Sequence, residues 1–403
     1  MRLAFSLAVL LCVQDRAQAY SVLTHEAIID SVWESHLQPA LLRRFPDATP
    51  EELHKAHAYV YGGSLIQDMG YAPFSSRFFS DLTHYVRSGD FVEALIGDSQ
   101  TLNEYAFALG SLAHYSSDST GHPTINRITP LVYPKVRAKH GPVATYEDDP
   151  AAHLKTEFAL DVLQVARGVY ASEDYHDFVG FEIEQAGLER AFAKTYGIPL
   201  KDLFLSEDMA IGIFRFSVGS LVPKMTRVAW ETKKDDIEKA KPGITRSKYL
   251  YTLSRKQYER EWGKQYRGPG VAARILAWVF RVLPKVGPLK TLAFQPIPPS
   301  GEKMFLEAFD VTVDQYRRYL TEERAGRLNL SDDNLDTGQR ARATQYNLAD
   351  KAYNTLLDKL SSRHFESVTP ELRANILAFF DQMSPDSTSP KAISQLQQLR
   401  GLK

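Results

Sequence analysis

Apolar residues recur at spacings of three and four along several long stretches of the chain, and this period restricts the fold to helices packed through one face. The pattern is present in residues 51–66, 101–119, 151–169 and 302–320. The alternation of apolar and polar residues that is typical of strands is scarce. The sequence therefore predicts an all-α protein made of several helices.

The composition allows a large core and indicates no polyanionic partner. Of the 403 residues, 44% are hydrophobic, and the formal net charge is −1, so no overall basic field favours nucleic acid or an anionic membrane. A strongly charged stretch at 230–243 ends in Pro-Gly, which is typical of a domain boundary. We therefore expect a first domain at 20–235 and a helical C-terminal extension at 236–403, for which the sequence indicates no role.

Residues 1–19 have the organisation of a secretory signal peptide. Arg2 precedes an apolar run at 3–13, which is too short to span a bilayer, and the Ala-Gln-Ala sequence ending at Ala19 is a small-x-small cleavage site. Cleavage there makes Tyr20 the first residue of the mature chain. We therefore expect an exported protein, either periplasmic or extracellular.

Cys12 is the only cysteine, and it lies within the predicted signal peptide. A lipoprotein signal is the alternative interpretation of this position, but Leu11 stands where such signals have a small residue. After cleavage the mature protein has neither disulfides nor thiolates, so a metal site must use nitrogen and oxygen ligands.

Histidine and carboxylate residues stand at helical spacing in a first stretch. His114, Asp118 and His122 are four residues apart, so they share one helix face and can converge on metal ions. Gly121 and Pro123 predict that this helix ends beside His122, which would turn that histidine toward a neighbouring ion.

His153 and Glu157 repeat the same spacing on another predicted helix. Imidazole nitrogen combined with carboxylate oxygen, without sulfur, suits zinc in a catalytic site. Each pair taken alone is more often a solvated ion pair or a helix cap. Two such sets on neighbouring apolar helices favour a metal site.

The order of these residues resembles the zinc phospholipase C and S1/P1-nuclease superfamily, whose members have a multi-helix fold and a site for three zinc ions. The resemblance covers residues 20–200, and every ligand position of the family is filled here, by Tyr20, His25, Asp68, His84, His114, Asp118, His122, His153 and Glu157. Two departures are visible: Tyr20 replaces the more usual tryptophan, and the interval from Asp118 to His122 is short.

The resemblance implies how these residues divide among the ions. The first zinc would be held by Asp68, His84, His114 and Asp118. The second would be held by His122, His153 and Glu157. The third would be held by the amine and carbonyl of Tyr20 with His25, and Asp118 would bridge it to the first. Signal cleavage would then be an activation step, because an amine within a peptide bond cannot coordinate zinc.

The resemblance implies hydrolysis of a phosphodiester by zinc-activated hydroxide, with Asp68 and Asp118 as the catalytic carboxylates. Asp68 would orient or deprotonate the attacking water. Phospholipid is the favoured substrate, because Glu157 and the lack of disulfides resemble the phospholipase branch. The apolar and basic stretch at 271–283, with Trp278, could lie on a membrane surface, although a helix buried in the extension is the simpler interpretation.

Two alternatives stay open. A nuclease acting on single-stranded nucleic acid is indicated by the short interval from Tyr20 to His25 and by aromatic residues around Asp68 and His84 that could stack on bases. A zinc-stabilised binding module without turnover is disfavoured, because no expected ligand is missing. The sequence indicates no protein partner.

Overall fold

A computed structural model of the chain describes residues 22–72, 75–167, 181–215, 295–384 and 388–402, together with residues 218 and 235. The predicted signal peptide, Tyr20 and the stretch at 271–283 lie outside these residues. The boundary predicted near residue 235 stays a prediction.

The described part of the chain is helical except for one short antiparallel hairpin, which confirms the all-α prediction. No helix in it is both long and apolar enough to cross a membrane. The α-helices are α1 (Val22–Asp30), α2 (Gln38–Arg44), α3 (Pro50–Ser64), α4 (Arg77–Tyr85), α5 (Ser88–Gly97), α6 (Leu102–Val132), α7 (Pro134–His140), α8 (Pro150–Arg167), α9 (Gln185–Tyr196), α10 (Pro299–Arg324), α11 (Asn347–Ser362), α12 (Pro370–Phe380) and α13 (Pro390–Arg400). Single turns of π-helix at Trp33–Leu37 and of 3-10 helix at Ile66–Tyr71 and Leu200–Leu203 connect some of them, and β1 (Asp333–Asn334) pairs with β2 (Gln339–Arg340).

Helix α3 begins at a complete capping box. The Thr49 hydroxyl accepts a hydrogen bond from the backbone N–H of Glu52, the Glu52 carboxylate accepts one from the N–H of Thr49, and Pro50 occupies the first turn. This arrangement satisfies backbone donors that a helix start otherwise leaves unpaired. It fixes the start of a helix whose far end reaches the candidate site.

Helices α3 and α6 form the centre of the fold and approach each other closely through glycine. A Cβ atom added to Gly63 would lie 1.9 Å from the carbonyl oxygen of Phe107, and one added to Gly110 would lie 2.0 Å from that of Val60. Only glycine allows backbones to come this close. The close approach brings the end of α3 against the middle of α6, where His114 lies.

The prediction that the helix carrying His114 ends beside His122 is wrong. Helix α6 continues through Gly121, Pro123 and Pro130 to Val132. The reason is tertiary packing: Ile125, Ile128 and Val132 continue the apolar stripe and pack in one cluster with Leu160 of α8 and Phe305 of α10. Burial of this apolar face offsets the stability that the helix loses where the prolines remove backbone hydrogen bonds.

The C-terminal segment packs directly on α6. The Tyr316 hydroxyl of α10 donates to the carbonyl oxygen of Leu109 at 2.8 Å, and the hydroxyls of Thr312 and Thr120 are 2.7 Å apart. Val313 and Tyr316 belong to the same buried apolar cluster as residues of α3 and α6. One continuous core therefore joins the described parts of both predicted regions.

Candidate metal centre

The structure brings together the eight predicted ligand side chains that it describes, from five elements of the fold. Every one of them is at most 2% exposed. His25 comes from α1, Asp68 from the 3-10 turn after α3, His84 from α4, His114, Asp118 and His122 from α6, and His153 and Glu157 from α8. Tyr20, the ninth predicted ligand, lies outside the described residues.

The first group has the separations expected of ligands around one zinc ion. Nε2 of His84 lies 3.4 Å from Nε2 of His114, and 3.5 Å from both Oδ1 of Asp68 and Oδ2 of Asp118. Nε2 of His114 lies 3.1 Å from the same Asp118 oxygen. Ligands about 2.0–2.1 Å from a tetrahedral zinc ion are about 3.4 Å apart, so the donor set fits this metal.

The second group lies farther along α6 and α8. Nε2 of His153 is 2.8 Å from Oε1 of Glu157, and Nε2 of His122 is 3.7 Å from the same oxygen. The imidazole rings of His122 and His153 meet edge to face with centroids 5.3 Å apart. Because α6 stays helical, His122 reaches this group from within the helix, and the short interval after Asp118 is one helical turn.

Asp118 connects a third group to the first. Its Oδ2 faces His84 and His114, whereas its Oδ1 lies 3.7 Å from Nε2 of His25. The rings of His25 and His114 are stacked with centroids 4.8 Å apart. The two oxygens of one carboxylate thus face two different histidine groups, which is the geometry of a bridging ligand.

Three of the histidines present Nε2 to these groups because Nδ1 is held elsewhere. Nδ1 of His84 lies 2.9 Å from the carbonyl oxygen of Ser80, one turn earlier in α4, and Nδ1 of His114 lies 2.9 Å from that of Ser64 at the end of α3. Nδ1 of His25 lies 2.9 Å from the Ser117 hydroxyl. Such outer contacts fix the orientation and the tautomer of metal-binding imidazoles.

Buried carboxylate oxygens in the centre have few protein donors. The oxygens of Asp68 and of Glu157 are buried and, among the described donors, are approached only by histidines of the centre, Asp68 by His84 at 3.5 Å and Glu157 by His153 at 2.8 Å and by His122 at 3.7 Å. Uncompensated burial of this kind is costly and rare. A bound cation would satisfy these oxygens, so the residues present fit zinc by their chemistry as well as by their spacing.

The electrostatics of the metal-free centre agree with this interpretation. Burial raises the pKa of Asp68 and of Glu157, and neighbouring histidines offset that effect only partly. Burial also raises the pKa of Asp118, but the charges of His114 and His122 outweigh it and hold that pKa well below its usual range. The centre therefore contains negative charge that needs compensation by protons or by metal.

One polar contact of the centre comes from a residue that sequence reasoning missed. Oδ1 of Asp336, in the turn between β1 and β2, lies 3.3 Å from Nδ1 of His122. Burial would raise the pKa of Asp336, but the hydrogen bond and charge of His122 bring it to about 2. Nothing in the local sequence connects Asp336 with α6, because only the tertiary fold brings the two together.

Aromatic side chains border the centre on one side. The ring of Tyr71 lies 5.8 Å from that of His84, the ring of Tyr146 lies 5.8 Å from that of His153, and the two tyrosine rings are 6.1 Å apart. The half-exposed guanidinium of Arg77 lies 6.0 Å from the centre of the Tyr146 ring. This cation pairs with Asp81 at 3.5 Å and lies beside the aromatic border of the centre.

The buried, sulfur-free cluster of imidazoles and carboxylates has the ligand chemistry of a catalytic metal site. A family model described as zinc dependent phospholipase C matches residues 24–205. Residues 24–205 are therefore similar to the zinc-dependent phospholipase C family, and this similarity indicates a hydrolase activity that depends on zinc. No match was found among curated proteins or among solved structures.

Proposed function

We propose that the mature protein hydrolyses the headgroup phosphodiester of phospholipids at a centre of three zinc ions. The observation that carries the proposal is the arrangement of three donor groups around Asp118, whose two oxygens face different histidines at 3.1–3.7 Å. The family match supports the reaction class, because the matched residues 24–205 contain all the described donors.

Each donor group is assigned one ion. The first zinc would be held by Asp68, His84, His114 and Asp118, the second by His122, His153 and Glu157, and the third by His25, Asp118 and the amine and carbonyl of Tyr20. Zinc would supply Lewis acidity, which makes water nucleophilic at neutral pH and neutralises charge on a phosphoryl group. Asp68, whose buried oxygens face the first group, would orient the attacking water and accept its proton.

The assignment of Tyr20 is supported by how the start of α1 is held. Asp161, one turn after Glu157 in α8, accepts hydrogen bonds from the backbone N–H of Leu23 at 3.0 Å and from the Thr24 hydroxyl at 2.5 Å. A carboxylate next to the second donor group thus fixes the chain three residues after Tyr20. The anchor lies three residues from Tyr20 in the sequence and beside the donor groups, which supports a ligand role for the mature N-terminus, and the protein would be exported and processed before it becomes active.

The substrate is assigned from chemistry around the centre. Arg77, which is half exposed and pairs with Asp81 at 3.5 Å, would offer a cation to a phosphate oxygen, and the buried rings of Tyr71 and Tyr146 would border the group attached to it. Glu157, where the nuclease branch favours aspartate, supports the phospholipase branch. The same aromatic rings could stack on bases, so hydrolysis of single-stranded nucleic acid is the second candidate function.

A paired assay tests the proposal. Purified mature protein is incubated with phosphatidylcholine vesicles or with single-stranded DNA, each with and without a zinc chelator. We expect release of diacylglycerol and a phosphorylated headgroup, abolished by chelator and by Asp118→Asn. The matched control is Asp314→Asn, because Asp314 is exposed on α10 and pairs with Arg317 of the same helix, so the rate should stay unchanged.

The other outcomes of the assay are equally definite. Cleavage of DNA with intact vesicles would replace the proposal with the nuclease function. Bound zinc without turnover of either substrate would indicate a binding module. Turnover that survives both the chelator and Asp118→Asn would refute the metal mechanism.

A further inference from the structure

We infer that Asp336 is a positioning residue for His122, so that chain outside the matched family region completes the second metal group. The inference rests on the proposed function, because it concerns how one proposed zinc ligand is held. It also assigns a role to a part of the C-terminal extension, namely the hairpin of residues 331–340 that contains β1 and β2, called here the 331–340 hairpin.

The contact divides the two nitrogens of His122 between two tasks. Nε2 faces the metal group, 3.7 Å from Oε1 of Glu157 and 3.6 Å from Oδ2 of Asp118. Nδ1 faces the opposite way, 3.3 Å from Oδ1 of Asp336. An imidazole held by a carboxylate through one nitrogen is fixed in ring orientation and is a stronger metal ligand through the other.

His122 differs in this respect from the other imidazoles of the centre. Nδ1 of His84 and of His114 face neutral backbone carbonyls, and Nδ1 of His25 faces a hydroxyl. Of the described histidines of the centre, His122 is the one whose Nδ1 faces a carboxylate. The second group also has fewer protein donors than the first, so the basicity and the orientation of each donor have a larger effect on its affinity for metal.

Asp336 is itself rigidly held, as a positioning residue must be. Its Oδ2 accepts hydrogen bonds from the hydroxyls of Tyr85 at 2.7 Å and Tyr346 at 2.5 Å, and its backbone N–H donates to Oδ1 of Asn334. Its carbonyl oxygen accepts a hydrogen bond from Nδ2 of Asn126, one turn after His122 in α6. The residue is 1% exposed.

The 331–340 hairpin contacts α4, which bears His84, and α6, which bears His114, Asp118 and His122. The backbone N–H of Leu335 donates to the carbonyl oxygen of His84 at 3.0 Å. A Cβ atom added to Gly338 would lie 2.2 Å from the carbonyl oxygen of Ser119, so the hairpin lies directly against α6. The hairpin thus connects α4 to α6 and carries the carboxylate that reaches His122.

The test measures zinc retention by full-length mature protein, with Asp336→Asn as the variant. Zinc per chain is determined by mass spectrometry after dialysis against a graded series of chelator concentrations. Loss of an outer-shell carboxylate weakens metal binding about 10–100-fold, so we expect one zinc ion to leave at correspondingly lower chelator concentration while the others stay.

The matched control is Asp333→Asn, which makes the same change in the same hairpin. Asp333 contacts Tyr115 and Ser331 rather than a histidine of the centre, so its variant should retain zinc as the wild type does. Equal retention by wild type and Asp336→Asn would overturn the inference. Equal losses in both variants would overturn it as well, because the effect would then come from the hairpin as a whole.

A milder variant keeps the inference testable if Asp336→Asn does not fold. Tyr85→Phe removes one hydroxyl that holds Asp336 and leaves the ring in place, and we expect about fivefold weaker retention of the same ion. Unchanged retention in Tyr85→Phe would then count against the inference. A wild-type protein without zinc would instead refute the proposed function, so the two failures are distinguishable.

Discussion

Gly110→Ala should destabilise the fold and disturb the metal centre together. The added Cβ would lie 2.0 Å from the carbonyl oxygen of Val60 and 2.9 Å from the backbone nitrogen of Ser64, whereas Cβ contacts under 3.0 Å are essentially never observed. Helices α3 and α6 must therefore separate by about 1 Å at their closest point, and neither backbone oxygen nor backbone nitrogen can rotate away as a side chain could.

The magnitude follows from two costs. Overpacking of a tight contact costs about 1–3 kcal/mol. The separation also stretches the contact between Nδ1 of His114 and the carbonyl oxygen of Ser64 from 2.9 Å to roughly 3.9 Å, which removes a hydrogen bond worth about 1 kcal/mol. We expect a loss of about 2–4 kcal/mol in the free energy of unfolding, with weaker zinc retention in the first group.

Urea denaturation followed by circular dichroism, with zinc content measured in parallel, checks this prediction. Gly97→Ala is the matched control, because it lies in α5 with no atom within 4 Å of the added Cβ. That variant should be neutral or more stable by up to about 1 kcal/mol. A Gly110→Ala protein as stable as the wild type would refute the close-packing argument, and a destabilised protein with full zinc retention would refute its connection to His114.

Three further predictions concern processing, pH and substrate. One extra residue before Tyr20 should remove one zinc ion per chain, and full zinc content by mass spectrometry would contradict the role of the free amine. In metal-free protein the pKa of His122 is raised from 6.5 to about 9, because Asp118, Asp336 and Glu157 outweigh its burial. The associated stability is complete below the unfolded pKa and is lost as pH rises through about 9, so urea denaturation should give a free energy of unfolding about 3 kcal/mol lower at about pH 10 than at about pH 6. Equal free energies of unfolding at the two pH values would contradict this prediction. Trp278→Ala should slow hydrolysis of vesicles but not of dispersed short-chain phospholipid, and equal slowing on both would contradict a membrane contact.

The four helical stretches predicted from the sequence correspond to α3, α6, α8 and α10, because apolar periodicity reports which face of a segment is buried. The prediction of 101–119 was too short for a physical reason: Pro123 is a local signal, whereas the packing of Ile128 and Val132 against other helices is not visible locally. Tertiary burial decided the end of α6.

Donor residues could be predicted from the sequence where two of them stand one turn apart in the same helix. His114 with Asp118, and His153 with Glu157, stand one turn apart and needed no tertiary information. The roles of Asp68 and His84 depended on the family resemblance, because neither belongs to such a pair. Asp336 could not be predicted at all, since a short acidic turn far along the chain gives no indication of the helix it contacts.

Anomalous X-ray diffraction at the zinc absorption edge tests the central claim most directly. Crystals of mature protein with Tyr20 as its first residue should show three anomalous peaks. One is expected among Asp68, His84 and His114, one among His122, His153 and Glu157, and one beside His25, with Asp118 between the first and the third. A single peak, peaks away from these side chains, or none in protein purified with zinc present would contradict the three-zinc centre.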